Sequence, residues 1–380
     1  MEKVYLDWAA TAKPNVSENR KALEIAHDFF ANPSSRHSLG QGAHSILETA
    51  REKIAQCLSV QAKNIFFTSG GTESNHIALL ANILKPHFSD QNIVVSAIEH
   101  AAIREQVEVL SHLGIQVKTV FPDAQGLILP EAVLELIDEK TSFVSVMAVN
   151  NEVGSIQPIA DIVQAIRLKA KRKIHIHTDA VQAIGKLSLA LADIDSFSVS
   201  AHKLGAMRGI GIIYLKQPIT VFNRGGRQEQ GIRPGTENLA GALSLQYAME
   251  KYFQGIHANY EKAYIQAETL MSNILSIPTA HIIPDKRVGS SQNFSPYIIQ
   301  AAFDRIPGEV MVRTLSDRGI AISTGSACSS GKLNRPVLDA MKVPKNIQQS
   351  AFRLSLGYTT SDTELEQCIE AIKEVVRLFG

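Results

Sequence analysis

The sequence has few cysteines, almost no net charge and no long hydrophobic run. Three of its 380 residues are cysteine, too few and too scattered for a disulfide framework or a Cys-x-x-Cys metal site. Lysine plus arginine (38) balances aspartate plus glutamate (37), which disfavours nucleic acid or an anionic membrane as a partner. No apolar stretch approaches the roughly 18 residues that cross a bilayer, and residues 1–14 lack a signal-peptide core. These absences predict a cytoplasmic protein that binds neither nucleic acid nor membrane.

The pattern of residues 60–215 predicts an α/β sandwich. Short β-branched or apolar runs alternate there with longer amphipathic runs, as in parallel βαβ units. A long helical run, Asn238 to about Leu275, would then lead to a small C-terminal domain with its own strands and helices. The strands predicted before it are Asn64–Thr68, Asn92–Ala97, Gln116–Val120, Thr141–Val149, Lys173–Thr178, Ser196–Ser200 and Gly211–Leu215.

Residues 66–75 read as an apolar strand, two glycines and a helix start. Gly70 and Gly71 would let the backbone approach a ligand closely, and Thr72 would add a hydroxyl to the unpaired N–H groups of the first helical turn. Such a geometry holds phosphate by directed donors and the helix dipole. Taken alone, the same sequence also fits an ordinary capped βα turn.

Two further strands end in polar groups. Asp179 follows the predicted strand Lys173–Thr178, and Gln182 comes three residues later. The strand that ends in Ser200 is followed by His202 and Lys203. Because ligands of open α/β sheets bind at the carboxyl ends of the strands, these side chains are candidates for one site.

A phosphate cradle, a carboxylate and a lysine together fit pyridoxal phosphate. The aldehyde of that cofactor reacts with an amine, and its pyridinium nitrogen is paired with an anion. Nicotinamide cofactors need no such lysine, and no Walker lysine follows Gly70 and Gly71, which disfavours a nucleotide hydrolase.

The cysteines differ in their surroundings. Cys57 and Cys368 lie in helix-like runs, where they would be small buried hydrophobes. Cys328 lies in a run of small residues, 322–331. A thiol on a polar loop is accessible, and beside a cofactor it is a candidate nucleophile; the alternative is an incidental surface cysteine.

With these residues identified, the chain resembles the cysteine desulfurases of the class V aminotransferase family, which are fold type I pyridoxal phosphate enzymes. The long segment between Cys328 and Phe352 resembles the group with a long cysteine loop. The resemblance implies a large three-layer α/β/α domain with a mainly parallel sheet (residues 13–255) and a smaller α+β domain (residues 1–12 with 256–380). The matching runs are YLDWAAT (5–11), NPSSRHSLG (32–40), TSGGTESN (68–75), EH (99–100), NNEVGSIQPI (150–159), TDAVQAIGK (178–186), SAHK (200–203), RPGTEN (233–238), STGSACSSG (323–331) and FRLSLG (352–357).

The resemblance also implies which residues hold the cofactor. Lys203 would bind its aldehyde, and Asp179 would keep its ring nitrogen protonated. Gln182 would bond the phenolic oxygen, and His100 would stack on the ring. The phosphate would be bound by Gly71, Thr72, Ser200, His202 and, from the neighbouring subunit, Thr236. The protein would therefore be a homodimer with active sites at its interface.

The substrate implied by the resemblance is L-cysteine. Arg353, helped by Asn151 and Asn32, would fix its carboxylate, a task suited to a planar guanidinium; Asn151 would also contact the cofactor. The Lys203 amine would shuttle a proton while Cys328 attacks the substrate sulfur, so that alanine leaves and Cys328 carries a persulfide. The acceptor would be a scaffold protein for iron–sulfur clusters or a sulfur carrier. No intrinsic metal is implied, although Cys328 would be able to ligate a cluster transiently with such a partner.

Three segments depart from the family pattern without removing a proposed catalytic group. They are residues 11–14, the stretch 206–209 where Gly-Pro-Lys-Gly is usual, and the stretch 224–231, which has Arg227 and Gln230 near the expected dimer seam. The alternatives are a selenocysteine lyase, a class V aminotransferase for another amino acid, and a non-catalytic scaffold with the same fold.

Overall fold

The strands and helices of the chain follow the predicted alternation. A computed structural model describes residues 3–84, 90–189, 193–287, 291–325 and 335–379. The first half contains β1 (Val4–Tyr5), α1 (Val16–Asp28), α2 (Ser38–Leu58), β2 (Ile65–Thr68), α3 (Gly71–Leu80), β3 (Asn92–Ser96), α4 (Ala101–His112), β4 (Gln116–Val120), α5 (Pro130–Leu136), β5 (Thr141–Ser145) and α6 (Ile159–Lys169). The second half contains β6 (His175–Asp179), β7 (Ser196–Ser200), β8 (Gly211–Leu215), α7 (Leu239–Gln254), α8 (Ile256–Leu275), β9 (Ala280–Ile283), β10 (Ile298–Phe303), α9 (Gly308–Asp317), β11 (Ile320–Ala321), α10 (Pro336–Ala340), α11 (Lys345–Ser350), β12 (Phe352–Ser355) and α12 (Asp362–Phe379).

The central sheet has seven strands in the order β2-β8-β7-β6-β5-β3-β4. The neighbours from β4 to β7 pair in parallel, while β8 runs antiparallel to both β7 and β2. All residues of β2, β3, β5, β7 and β8 are buried, as expected for strands covered by helices on both faces. The seven predicted strands and the mainly parallel α/β sheet are thus confirmed.

Three predicted elements differ in extent by more than one residue. The strand predicted over Lys173–Thr178 spans His175–Asp179, so Asp179 is its last residue and does not follow it. The strand predicted over Thr141–Val149 ends at Ser145, because the chain then turns back on itself: Gly154 N–H donates to the Asn150 carbonyl over 3.0 Å. The single helical run predicted after Asn238 is two helices that break at Gly255, a residue type with poor helix propensity.

A second group of strands lies outside the central sheet. β9, β10 and β12 form an antiparallel sheet, and β1 pairs in parallel with β11. The last helix, α12, buries an apolar stripe at helical spacing, with Leu365, Cys368, Ile369, Ile372 and Val375 facing inward. These elements share an apolar cluster built from residues 4–6 and 267–375. The domain boundaries named above stay a prediction.

None of the helices in the described parts of the chain is both long and apolar enough to span a bilayer.

Candidate active site

A cavity of about 230 Å³ lies where β6 and β7 end and α3 begins. This is the edge of the sheet at which open α/β folds bind ligands. Its lining includes every residue predicted to bind the cofactor except Thr236. The lining residues are Gly71, Thr72, Asn75, His100, Met147, Asn151, Asp179, Val181, Gln182, Ser200, His202 and Lys203.

The start of α3 forms an anion cradle at one side of this cavity. Gly70 has φ +153° and ψ −177°, a conformation that is essentially restricted to glycine. A Cβ on Gly71 would lie 2.8 Å from Val181 Cγ2, so the close approach requires glycine. Hydrogen bonding within the helix begins with Ser74 N–H and the Gly70 carbonyl, 3.1 Å apart. The preceding N–H groups are therefore directed away from the helix, as an anion site requires.

Lys203 follows β7 on a short 3-10 turn and points at the N-terminal segment. Its Nζ donates to the carbonyl oxygens of Ala9 and Ala10 over 2.6 and 2.8 Å. Burial and the nearby Arg353 guanidinium lower the pKa of Lys203 to about 8, while Asp179 opposes the shift. An amine with this pKa is partly neutral near pH 7, which suits covalent chemistry with an aldehyde.

Asp179 lies at the end of β6 with both carboxylate oxygens occupied. Oδ1 accepts the Val181 N–H over 3.0 Å, and Oδ2 accepts the Asn75 side-chain amide over 2.7 Å. The side chain of Asp179 is buried, and the two hydrogen bonds fix its orientation. Asp179 is thus a carboxylate held in place at the cavity.

The Gln182 amide is oriented by a second buried lysine. Gln182 Oε1 accepts from Lys186 Nζ over 3.1 Å, and Gln182 Nε2 donates to the Ala9 carbonyl over 2.9 Å. Burial, together with the charges of Lys203 and Arg353, lowers the pKa of Lys186 to about 7. The donor side of the Gln182 amide therefore lies toward the segment that Lys203 also contacts.

The two histidines of the cavity are set by local contacts. His100 caps α4, because its Nδ1 accepts the Ala102 N–H over 3.1 Å. Desolvation lowers the pKa of His100; Asp179 opposes that effect and Lys203 adds to it. His202 Nδ1 lies 3.1 Å from Thr11 Oγ1, and burial with the nearby Lys203 lowers the pKa of His202 to about 4. A neutral His202 is therefore the form present at pH 7.

Arg353 on β12 lies beside the cavity and reaches it through Asn151. Its Nη1 donates to the Asn151 carbonyl over 2.8 Å, and its Nη2 donates to Asp7 Oδ1 over 2.8 Å. The Nε atom of Arg353 is buried and has no hydrogen-bond partner among the described residues. The guanidinium is thus held in place while its Nε–H group stays unused among those residues.

Two further predicted residues lie outside this cavity. Asn32 and Thr236 are exposed and do not line the cavity of this chain. Asn32 Oδ1 accepts the Ser34 N–H over 2.8 Å. Cys328 lies outside the described residues.

Two site residues had no role assigned from the sequence. Asn75 contacts Asp179, and Asp7 pairs with Arg353. Both stand inside motifs that match the family, and Asn75 follows Gly71 by one helical turn, a spacing that places both on one face of α3. That spacing was the available signal for Asn75.

The groups around the cavity fit pyridoxal phosphate. The set contains an amine for the aldehyde, a buried carboxylate for the ring nitrogen and a glycine cradle for the phosphate. A neighbouring cavity of about 430 Å³ shares Gly71, Thr72, Ser200 and His202, and it adds the cation of Arg208 and the carboxylate of Glu73. The donor set therefore matches the cofactor in type.

Comparison with known proteins identifies the family. Residues 4–368 match the family model for Aminotransferase class-V. A NifS/IcsS protein homolog from Lactobacillus delbrueckii subsp. bulgaricus is 35% identical over 99% of this chain and 98% of its own length. Cysteine desulfurase NifS from Azotobacter vinelandii is 34% identical over 99% and 93%. A solved structure of a NifS-like protein superposes with a TM-score of 0.91 at 34% identity, covering 99% of this chain and 100% of that one. The chain therefore belongs to the class-V aminotransferase family and, within it, to the cysteine desulfurases of the IscS/NifS group.

Proposed function

We propose that the chain converts L-cysteine to L-alanine with pyridoxal phosphate and passes the sulfur on as a persulfide. The observation that carries this proposal is the convergence of Lys203, Asp179 and the Gly71 cradle on one cavity. When bound, pyridoxal phosphate supplies an aldehyde for amines and a ring that withdraws electrons. The alternatives of a selenocysteine lyase, another class V aminotransferase and a scaffold have no structural observation in their favour.

The residues that line the cavity would hold the cofactor. Lys203 would bind the aldehyde, Asp179 would pair with the ring nitrogen, and Gln182 would donate to the phenolic oxygen. His100, which lines the same cavity, would stack on the ring, and Asn151 would be a further contact. The phosphate would be bound by Gly71, Thr72, Ser200, His202 and Thr236 of the partner subunit.

Arg353 would bind the substrate carboxylate. Its guanidinium is already fixed by Asp7 and the Asn151 carbonyl, so little side-chain entropy is lost on binding, and the buried Nε is an unused donor. Asn32 would complete this subsite. Because it is exposed and does not line the cavity of the single chain, its role depends on the assembled dimer.

Lys203 and Cys328 would perform the proton and sulfur steps. The Lys203 amine has a pKa of about 8, which allows it to take up and return a proton near neutral pH. The Cys328 thiolate attacks the sulfur of L-cysteine as the carbon–sulfur bond breaks. The electron pair of that bond stays with the carbon, which takes up a proton to become the methyl group of alanine.

The other two thiols are poor nucleophiles. Burial raises the pKa of Cys57 to about 11, with Glu250 adding to the shift, and burial raises the pKa of Cys368 to about 12. Both would be protonated at neutral pH, and the thiolate is the reactive form. This leaves Cys328 as the persulfide carrier.

We place this reaction in a cytoplasmic homodimer. Thr236 is exposed and outside the cavity of its own chain, as a residue that serves a neighbouring site should be. The acceptor would be a scaffold for iron–sulfur clusters or a sulfur carrier protein.

The test is the intact mass of the protein after brief exposure to L-cysteine without reductant, with alanine assayed in parallel. Wild type and Cys57→Ser should gain a sulfur that reductant removes, whereas Cys328→Ser should gain none and form little alanine. Cys57→Ser is the matched control because it removes a thiol of raised pKa.

Each of the other outcomes would support a different function for this protein. Full turnover in Cys328→Ser would contradict the desulfurase proposal and favour another class V activity. Faster turnover of L-selenocysteine than of L-cysteine would indicate the lyase. A wild type that forms no product and binds no cofactor would indicate a scaffold.

A further inference from the structure

A line of hydrogen-bonded side chains runs along one face of β6 and ends at Asp179. His175 Nε2 lies 2.7 Å from Ser196 Oγ, and Ser196 Oγ lies 2.8 Å from His177 Nδ1. His177 Nε2 lies 3.0 Å from Asn75 Oδ1, and Asn75 Nδ2 lies 2.7 Å from Asp179 Oδ2. The line thus joins β7, β6 and α3 to the carboxylate on the floor of the active site.

The sheet register builds this line. Residues 175, 177 and 179 share one face of β6, since side chains alternate along a strand. Ser196 is the register partner of His177 on β7. Phe143, on β5, stacks on both imidazoles, with ring centroids 5.6 Å from His175 and 6.1 Å from His177. The imidazole planes are therefore fixed by packing as well as by hydrogen bonds.

The members at the active-site end are buried. Asn75 is 1% exposed, His177 0% and Asp179 4%, and Asn75 and Asp179 also line the cavity. A buried polar group that loses its partner is costly.

The chemistry of the groups decides which atom donates and which accepts in each hydrogen bond of the line. An ionised Asp179 only accepts, so the Asn75 amide must present its N–H₂ group to Asp179 and its oxygen to His177. His177 must then donate from Nε2, which leaves Nδ1 as an acceptor for the Ser196 hydroxyl. Ser196 in turn accepts from His175 Nε2. Every donor in the line therefore points toward Asp179.

His177 is a neutral imidazole, as this order of donors and acceptors requires. Burial lowers the pKa of His177 to about 3, and the neighbouring His175 adds to the shift, while a hydrogen bond to the Ser196 backbone opposes it. The ring is therefore neutral at pH 7 and has one donor nitrogen and one acceptor nitrogen.

We propose that Asn75 and His177 are positioning residues that keep Asp179 ionised, so that it presents a negative charge to the ring nitrogen of pyridoxal phosphate. This inference rests on the proposed use of that cofactor. Without the His177 donor, the Asn75 amide is free to turn its oxygen toward Asp179. The two oxygens then repel each other unless Asp179 takes up a proton, and its charge is lost to the cofactor.

The first test does not involve the cofactor. Histidine-selective ¹⁵N labelling of the cofactor-free protein reports which imidazole nitrogen carries the proton, and His177→Gln assigns the signal. Protonation of His177 at Nε2 is expected. Protonation at Nδ1 would reverse the line and overturn the proposal. If wild-type protein fails to bind pyridoxal phosphate, the proposed function fails, whereas this measurement still decides the direction of the line.

The second test compares His177→Leu with His177→Gln, because the Gln Nε2 amide replaces the lost donor. His177→Leu should raise the dissociation constant for pyridoxal phosphate roughly tenfold and change the pH dependence of the bound cofactor's visible absorption. His177→Gln should stay within about threefold of wild type. His281→Leu is the control. It removes a histidine on β9, which belongs to a different sheet, together with its contact to Asp304. The dissociation constant and the pH dependence of the absorption should both stay unchanged.

Two outcomes would overturn the positioning role. One is a His177→Leu protein that binds and absorbs like wild type. The other is an equal loss in His177→Leu and His177→Gln, which would mean that packing alone matters. Should the His177 variants fail to fold, Asn75→Leu decides. It removes the side-chain donor to Asp179 Oδ2, and a wild-type affinity for pyridoxal phosphate with a wild-type absorption spectrum in that variant would equally contradict the proposal.

Discussion

Replacing Arg51 by methionine removes one partner of a buried ion pair between α2 and the turn at 228–231. Arg51 Nη1 and Nη2 lie 2.7 and 2.8 Å from the two carboxylate oxygens of Glu229. The side chains are 7% and 2% exposed. Arg51 also donates to the Ile65 carbonyl over 2.7 Å, and Glu229 accepts the Phe67 N–H over 2.7 Å. The pair therefore ties α2 and β2 to the segment that precedes Thr236.

Removing Arg51 and removing the charge of Glu229 should lower the free energy of unfolding by different amounts. In Arg51→Met, Glu229 stays buried with the Phe67 N–H as its remaining donor, and an unpaired buried charge costs about 3 to 5 kcal/mol. In Glu229→Gln, Arg51 still has Glu48 at 3.2 Å, so the loss should be smaller, about 1 to 3 kcal/mol. The left-handed backbone at Glu229, φ 48°, will relax once the pair is broken, which places the Arg51→Met value near its lower limit.

Urea unfolding followed by circular dichroism measures these differences. Arg51→Met should lower the free energy of unfolding by about 3 kcal/mol, and more than Glu229→Gln does. The double variant should lose less than the sum of the two. Arg318→Met is a control, since its ion pair with Glu374 is 3.6 Å long and its side chains are 31% and 61% exposed, and its loss should stay within about 0.5 kcal/mol. An Arg51→Met protein within about 1 kcal/mol of wild type, or strictly additive variants, would refute the reasoning.

Three further predictions concern the site. Because the pKa of Lys203 is about 8, the neutral fraction of its amine rises through pH 8. The rate at which the cofactor-free protein binds pyridoxal phosphate should therefore level off above that pH. A rate that still rises toward about pH 10 would indicate a lysine of ordinary pKa. Arg353→Ala should raise the KM for L-cysteine roughly tenfold or more, as loss of a charged contact costs about 1.5 to 3 kcal/mol, and an unchanged KM would count against the carboxylate role. Gly71→Ala places a Cβ 2.8 Å from Val181 and should weaken cofactor binding roughly tenfold by equilibrium dialysis, whereas Gly42→Ala, within α2, should leave the affinity at the wild-type value.

Local pattern was sufficient for the strands and for the place of the site. β7 and β8 have the predicted bounds, because short apolar runs between turn residues can be recognised as strands from the sequence alone. The cavity at the ends of β6 and β7 was predictable for a similar reason, since parallel strands bring their carboxyl ends to one edge. The antiparallel orientation of β8 could not be predicted, because the residues of a strand do not reveal the orientation of the strand beside it.

The sequence by itself determined which chemical groups the protein has and in what order: an amine at Lys203, a carboxylate at Asp179, a glycine cradle at Gly71 and a thiol at Cys328. Only the tertiary structure decided what those groups touch. The contact between Asn75 and Asp179 spans 104 positions, and the contact between Arg353 and Asp7 spans 346. Burial, which lowers the pKa of Lys203 and raises that of Cys57, likewise depends on packing. Such contacts arise from strand order and register, which no local run of residues encodes.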